Sequence, residues 1–107
     1  LPEPKNDIFT PEELKKYDGS DESLPVYLAI KGKVFDVSDA REAYGPGGNY
    51  NCFAGIDGSR GLATSSLKKA DMSHDYSDLG PDKLKVLDHW YNFYLGKYPI
   101  VGVVKRD

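Results

Sequence analysis

The chain has 107 residues, 39% hydrophobic and 29% charged, with a formal net charge of −3. That suffices for one domain with one modest core and is too apolar for a disordered chain. The acidity and the scattering of basic residues, paired only briefly as at Lys15-Lys16 and Lys68-Lys69, argue against a nucleic-acid partner, and a lone cysteine, Cys52, excludes an internal disulfide.

Residues 1–7 are polar and hold two prolines, which predicts an N-terminal arm before a domain over residues 8–104. The chain opens at Leu1 without a methionine, no run is long and apolar enough to cross a membrane, and none reads as a signal peptide. The expectation is a trimmed or mature fragment with an anchor or signal upstream. Thr10-Pro11-Glu12-Glu13 is a capping box with proline at the first helical position, so a short helix follows, carrying Leu14 and Tyr17 on one face and ending at Asp18-Gly19. Residues 26–30 and 33–37 are β-branched and aromatic runs around Lys31-Gly32, which predicts a hairpin. Val34, Phe35 and Val37 do not alternate, so part of the second strand is expected to be covered on both faces. Ser38 or Asp39 is placed to cap a short helix through residues 40–43.

Residues 44–63 are the organising stretch. Tyr44 and Tyr50 bracket Gly45, Pro46, Gly47, Gly48 and Asn49, a loop able to fold back tightly and nearly free of side-chain bulk, so that a flat ligand could approach its backbone. Single helical turns are expected over residues 50–54 and 57–64, the second capped by Asp57. Residues 65–80 read as a polar, acidic loop anchored by Leu67, Met72 and Leu79. The clearest helix spans residues 81–95, where Leu84, Leu87, Tyr91 and Tyr94 recur at helical spacing, Trp90 and Leu95 widen the stripe, and Gly96 is the expected stop. Residues 100–104 form a last strand before the charged tail 105–107. Short strands interleaved with short helices give an α+β class. Eight tyrosines, against four phenylalanines and one tryptophan, point to a cavity apolar in body and polar at its edge, although ordinary half-buried packing accounts for most of them.

The motif Tyr44-Gly45-Pro46-Gly47-Gly48-Asn49-Tyr50, followed by Phe53-Ala54-Gly55-Ile56-Asp57-Gly58-Ser59-Arg60-Gly61-Leu62-Ala63, resembles the membrane-associated progesterone receptor (MAPR) family of haem-binding relatives of cytochrome b5. The likeness extends over about residues 8–104, including the stretches 26–37 and 96–102. It implies a cytochrome b5-like fold, a small mixed sheet with short helices framing a haem cleft, and haem b (iron protoporphyrin IX) as cofactor. A b5-type carrier holds haem between two histidines, one in a His-Pro-Gly-Gly loop. Here Gly-Pro-Gly-Gly has no histidine before it, which argues against bis-histidine ligation.

Tyrosinate is an established alternative donor, a hard anion that favours ferric iron. Its phenol pKa of about 10 must fall on coordination, helped by the metal's charge and by a hydrogen-bond donor. The resemblance implies Tyr50 as the axial metal ligand, in five-coordinate ferric haem, and gives Tyr44 a supporting hydrogen bond to it; the plain alternative is that both rings pack the loop. It also places Lys97 near a haem propionate and Tyr98 at the pocket wall, against readings of Lys97 as solvated and Tyr98 as a core anchor. Asp57 and Arg60 lie in the matching motif and read as a helix cap and a paired charge. His74 and His89 read as exposed, with His74 held as an alternative sixth ligand, and Cys52 reads as a small hydrophobe or an alternative thiolate ligand.

No catalytic residue emerges: the glycine loop has no following Gly-Lys-Ser/Thr, and no Ser-His-Asp set can be argued. The resemblance implies a haem-binding regulatory module acting on cytochrome P450 enzymes or sterol metabolism, with haem-dependent homodimerisation, at the endoplasmic reticulum or another endomembrane. The alternatives are a secreted neudesin-like signalling protein, to which Ser73-His74-Asp75 and residues 97–102 point, a steroid or sterol binder that uses the cleft without haem, and a haem enzyme using the open iron site.

Overall fold

The computed structural model describes residues 3–105. Its strands are β1 (Asp7–Phe9), β2 (Tyr27–Ile30), β3 (Lys33–Asp36) and β4 (Ile100–Val104), and its helices α1 (Pro11–Leu14), α2 (Arg41–Tyr44), α3 (Ser59–Thr64) and α4 (Pro81–Lys97). The strands make one mixed sheet in the order β1-β4-β3-β2, in which β1 runs parallel to β4 and the other pairs are antiparallel. This is the expected α+β arrangement of a small mixed sheet with short helices.

The hairpin turns at Lys31-Gly32 as expected, with φ of 52° and 78°. Both central residues are left-handed, the geometry whose twist matches that of the flanking strands. The failed alternation of β3 has the foreseen cause: Val34 packs in one cluster with Phe9, Leu14 and Ala29, while Phe35 and Val37 pack in another with Leu28, Ile30, Leu62, Leu87 and Tyr94. The smaller cluster lies between the sheet and α1. The larger lies between the other face and the helices α2, α3 and α4.

Thr10 caps α1 through Glu13 N–H, 3.1 Å from its Oγ1. Ser38 does not cap a helix side chain to backbone. Its hydroxyl accepts from Val26 N and donates to Asp36 Oδ1, joining the two ends of the hairpin instead. Lys31 pairs with Asp88 and lies 5.1 Å from the centre of the Tyr91 ring, so the hairpin turn is tied to α4.

Three further expectations need correction. Gly96 does not stop α4, which continues to Lys97 and ends where Tyr98 N donates to Tyr94 O at 2.9 Å. A glycine on an exposed helix face costs about 1 kcal/mol and is tolerated when its neighbours pack. Leu67 is no anchor: it is 51% exposed, whereas Met72, Tyr76 and Leu79 pack against the core. Asp7, read as the end of an arm, opens β1, and Lys5 N already donates to Ile100 O at 3.1 Å. Gly102 permits this pairing, because a Cβ there would lie 2.2 Å from Asp7 O. Leu1, Pro2, Arg106 and Asp107, parts of the expected arm and tail, lie outside the described residues.

Candidate functional site

The glycine loop closes on the protein itself. A Cβ on Gly48 would lie 2.2 Å from Ala43 O, and Tyr50 N donates to that carbonyl at 2.9 Å. The space saved by glycine is thus taken up by the end of α2 rather than kept for a ligand. Asn51 fastens the loop further, its side-chain amide donating to Tyr44 O at 2.8 Å and Asp18 O at 3.2 Å. With its backbone so held, the Tyr50 ring turns outward and is 46% exposed.

Tyr50 stands at the lip of a cleft of about 320 Å3, walled by Tyr44, Phe53, Leu62, Leu67, Trp90 and Tyr94, with Gly61, Ser65 and Ser66 completing it. This lies near the low end of the roughly 300–1,000 Å3 common for small-molecule sites. The lining is rings, two leucines and hydroxyls, without a carboxylate, imidazole or ammonium.

Inside the cleft, Tyr44 is 8% and Tyr94 3% exposed, and their hydroxyls hydrogen-bond to each other. Burial pushes both phenols up from their ordinary value, and Tyr94 is pushed up further by the hydrogen bond it makes to Tyr44. For Tyr44 that bond works the other way and partly opposes the effect of burial. Both therefore stay protonated at neutral pH. The Tyr44 ring centre is 6.1 Å from that of Tyr50, with the planes tilted by 38°. Among the described residues the Tyr44 hydroxyl pairs with that of Tyr94.

Lys97 and Tyr98 stand apart from the lining. Tyr98 is buried behind Tyr94 with ring centres 5.3 Å apart. The Lys97 ammonium lies 5.3 Å from the Phe93 ring centre and 5.6 Å from that of Tyr98, a pair of cation–π contacts on the outer side of α4. Cys52 borders a separate shallow hollow with Ile56, Leu67, Lys69 and Met72, and the exposed His74 borders another, beside Lys15 and Asp57.

Asp57 and Arg60 build the wall rather than face the cavity. Asp57 is buried; its Oδ2 accepts from Gly32 N at 2.9 Å, and its Oδ1 from Ser59 N at 3.1 Å and Ser59 Oγ at 2.6 Å. It joins the hairpin turn to the start of α3. Arg60 pairs with Asp78 at 2.6 Å and Asp71 at 3.5 Å, and donates to Asp75 O, so it gathers the acidic loop beside α3.

Sequence reasoning found Tyr44 and Tyr50 but missed Tyr94 and Trp90 as cleft residues, reading them as a core stripe. It also missed Phe53 and the serines. The clue was the excess of tyrosine over phenylalanine, which marked a polar-edged cavity without saying which rings make it.

The donor set fits a flat, largely apolar cofactor with a hard metal. The cleft has aromatic walls on several sides and, at its lip, a phenol whose hydroxyl makes no hydrogen bond among the described residues. A bis-histidine arrangement does not fit, since neither His74 nor His89 reaches this lining.

Comparison with known proteins agrees with this geometry. The sequence pattern of the cytochrome b5-like heme/steroid binding domain matches residues 10–105. A membrane steroid-binding protein 1 of Oryza sativa subsp. japonica is 50% identical over 95 residues, which are 89% of this chain and 41% of that protein. Neuferricin of Danio rerio is 42% identical over 95 residues, 89% of this chain and 36% of that protein. A solved structure from Arabidopsis thaliana, described as having a cytochrome b5 like fold, superposes with a TM-score of 0.87 at 42% identity, covering 94% of this chain and 93% of that one. The chain thus spans well under half of the membrane steroid-binding relative and of neuferricin. The fold, the cleft and the matched sequence converge, and this chain belongs to the cytochrome b5-like haem/steroid-binding domain family, in its MAPR branch.

Proposed function

We propose that the domain binds haem b in the cleft beside Tyr50, with the Tyr50 phenolate as the axial ligand of a five-coordinate ferric iron. The supporting observation is Tyr50 itself: a phenol held by a fixed backbone at the lip of an aromatic cleft, its hydroxyl unpaired among the described residues. Bound there, haem would supply a ferric centre of low potential, because an anionic oxygen donor stabilises iron(III). The protein's own part is to hold Tyr50, to stack rings against the macrocycle and to offer Tyr44 as a donor beside the ligand oxygen. Lys97, held over Phe93 and Tyr98 outside the lining, would have to leave these contacts to meet a propionate. A haem enzyme would need a general acid or base in the cleft, and the lining supplies hydroxyls only. The binding and regulatory reading is therefore preferred, with cytochrome P450 enzymes or sterol metabolism as its setting and stacking of two exposed haem faces as a route to a homodimer. An upstream anchor would place it on an endomembrane; secretion is the alternative for a neudesin-like member.

The test is a haemin titration followed by absorbance, on wild type and Tyr50→Phe. The expected result is saturable binding with a high-spin ferric spectrum and a phenolate charge-transfer band, lost in the variant. Equal spectra from both proteins would remove Tyr50 as the ligand and move attention to Tyr44, Cys52 and His74. Absence of saturable binding to either would overturn the haem reading.

A second reading has its own support. The names of the plant relatives are those of steroid-binding proteins, and a cleft of 320 Å3 with a few hydroxyls suits a compact apolar ligand. Steroid binding that is unchanged by haem removal and by Tyr50→Phe would favour it.

A further inference from the structure

The Tyr44–Tyr94 pair holds one more hydroxyl proton than its hydrogen bond uses. Tyr44 and Tyr94 each carry a single O–H donor. Their mutual hydrogen bond consumes one proton, and among the described residues neither hydroxyl has another partner. The spare proton belongs to whichever phenol accepts. Two arrangements exist, and the surroundings separate them. The Tyr94 ring is enclosed by Phe35, Phe93 and Tyr98, with centres 5.7, 5.8 and 5.3 Å away. If Tyr94 accepted, the spare proton would fall to the more deeply buried of the two phenols, 3% exposed against 8% for Tyr44. Tyr44 instead neighbours Tyr50 at the cleft lip. Donation from Tyr94 to Tyr44 leaves the Tyr44 proton free on the side where Tyr50 stands.

We propose that Tyr94 is a positioning residue of the cleft: by donating to Tyr44 Oη it fixes the Tyr44 hydroxyl as a donor to the oxygen of Tyr50. The inference rests on the haem reading, because it is a metal-bound phenolate that gives the Tyr50 oxygen the charge to draw this proton. The relay runs Tyr94 O–H to Tyr44 O, then Tyr44 O–H to Tyr50 O. A charged acceptor at its end strengthens each bond before it, since a hydroxyl that accepts becomes a better donor. Such a donor withdraws electron density from the ligand oxygen, so it raises the energy of the phenolate-to-iron charge-transfer band and slows loss of haem.

Tyr94→Phe tests this with little structural change, because it keeps the ring and its packing and deletes only the hydroxyl. Tyr44→Phe and the double variant complete a cycle. Each protein is loaded with haemin; the charge-transfer band is recorded, and haem loss to excess apomyoglobin is timed. Tyr94→Phe is expected to keep the band, shifted to lower energy, and to lose haem about two- to four-fold faster. Tyr44→Phe is expected to show the same shift, larger, with roughly ten-fold faster loss. The double variant should match Tyr44→Phe, since the effect of Tyr94 passes through Tyr44. A Tyr94→Phe protein identical to wild type overturns the inference, and so does a Tyr94→Phe effect that persists undiminished without the Tyr44 hydroxyl. Tyr50→Phe, run alongside, separates the two levels. A band that survives in it overturns the ligation itself and the relay with it. A band lost in it, beside a Tyr94→Phe protein identical to wild type, overturns the relay alone and leaves Tyr50 as the ligand.

Discussion

Both faces of the sheet carry tyrosines, and they are used differently. On the α1 face, Tyr17 and Tyr27 stack with ring centres 4.5 Å apart, and Phe9 meets each of them edge-on. There the rings are half-buried packing, their edges open to solvent. On the opposite face, Tyr44 and Tyr94 bury their hydroxyls against each other beside a cavity, and Tyr50 is left exposed at its lip. The same residue type fills space on one side and shapes a site on the other. What decides is where the hydroxyl ends up, at the solvent edge or inside.

The strongest perturbation of this comparison acts at the joint between the two faces. Asp57→Ala removes the acceptor for Gly32 N and both Ser59 donors, leaving a part-buried group of the hairpin turn and two buried groups of α3 unpaired. The expected cost is about 3–5 kcal/mol, read as a lower urea midpoint. A single transition in the variant would mean that sheet and cleft remain one cooperative unit. Two transitions would show that Asp57 is what couples them.

Next in size is Gly48→Ala. Its methyl would press on Ala43 O, so the loop must open and carry Tyr50 with it. Overpacking of this kind costs about 1–3 kcal/mol, and haemin affinity should fall alongside stability. Gly47→Ala meets no neighbour but has φ of 82°, so its cost of about 1 kcal/mol should leave haemin binding nearly intact. Equal haemin affinities in the two variants would count against the loop as the device that aims Tyr50.

Smaller, and specific to the buried phenols, is the alkaline response. Burial raises Tyr44 and Tyr94 above the ordinary phenol value, and burial followed by Asp36 raises Tyr27. Below about pH 10 native and unfolded phenols alike are protonated, and this contribution is fully present. As pH climbs further the unfolded chain ionises first and binds fewer protons than the native one, so stability falls. Urea midpoints across the alkaline range should drop steeply in wild type and less steeply in Tyr94→Phe. At neutral pH, Tyr44→Phe strands the Tyr94 hydroxyl and should cost about 1–2 kcal/mol, whereas Tyr27→Phe should cost about 0.5 kcal/mol or less. Equal costs would erase the distinction between the two faces.

The two faces also differ in how far they were legible in the sequence. The Lys31-Gly32 turn, the Thr10 cap and the start of α4 at Pro81 are local signals, and each is where local chemistry put it. β1 was hidden because three residues of strand exist only by pairing with β4, more than ninety positions along the chain. Gly96 misled because its cost in the helix is outweighed by packing of Tyr94 and Tyr98. The helical spacing of Tyr94 correctly marked burial, yet its hydroxyl meets Tyr44 fifty positions away, which no local pattern encodes. Tyr44 and Tyr50 were singled out through family resemblance to their motif, and both stand in the lining. Tyr94, Trp90 and Phe53, which line the cleft with them, were not.

The smallest expected effect belongs to the wall on the cleft side. Arg60 holds Asp78 in a bidentate contact and Asp71 more loosely, and the acidic loop it gathers follows directly on Ser65, Ser66 and Leu67 of the lining. The hydrogen bond from Arg60 lowers the Asp78 carboxyl below its ordinary range, and the bond from Ser77 does the same for Asp75. A lowered native pKa contributes stability that is present above the ordinary value near 4 and is lost as pH falls through the native one. Asp78→Asn should therefore bring a slightly lower urea midpoint at neutral pH, a difference that closes in acid. High salt should shrink it too, because the pair is solvent-exposed and screened. If the midpoint does not move but haemin binding weakens, Arg60 matters to the shape of the cleft rather than to the stability of the fold, and the loop then belongs with the site. If the midpoint moves and binding does not, the loop is scaffold, and the functional face narrows to the tyrosines and Trp90.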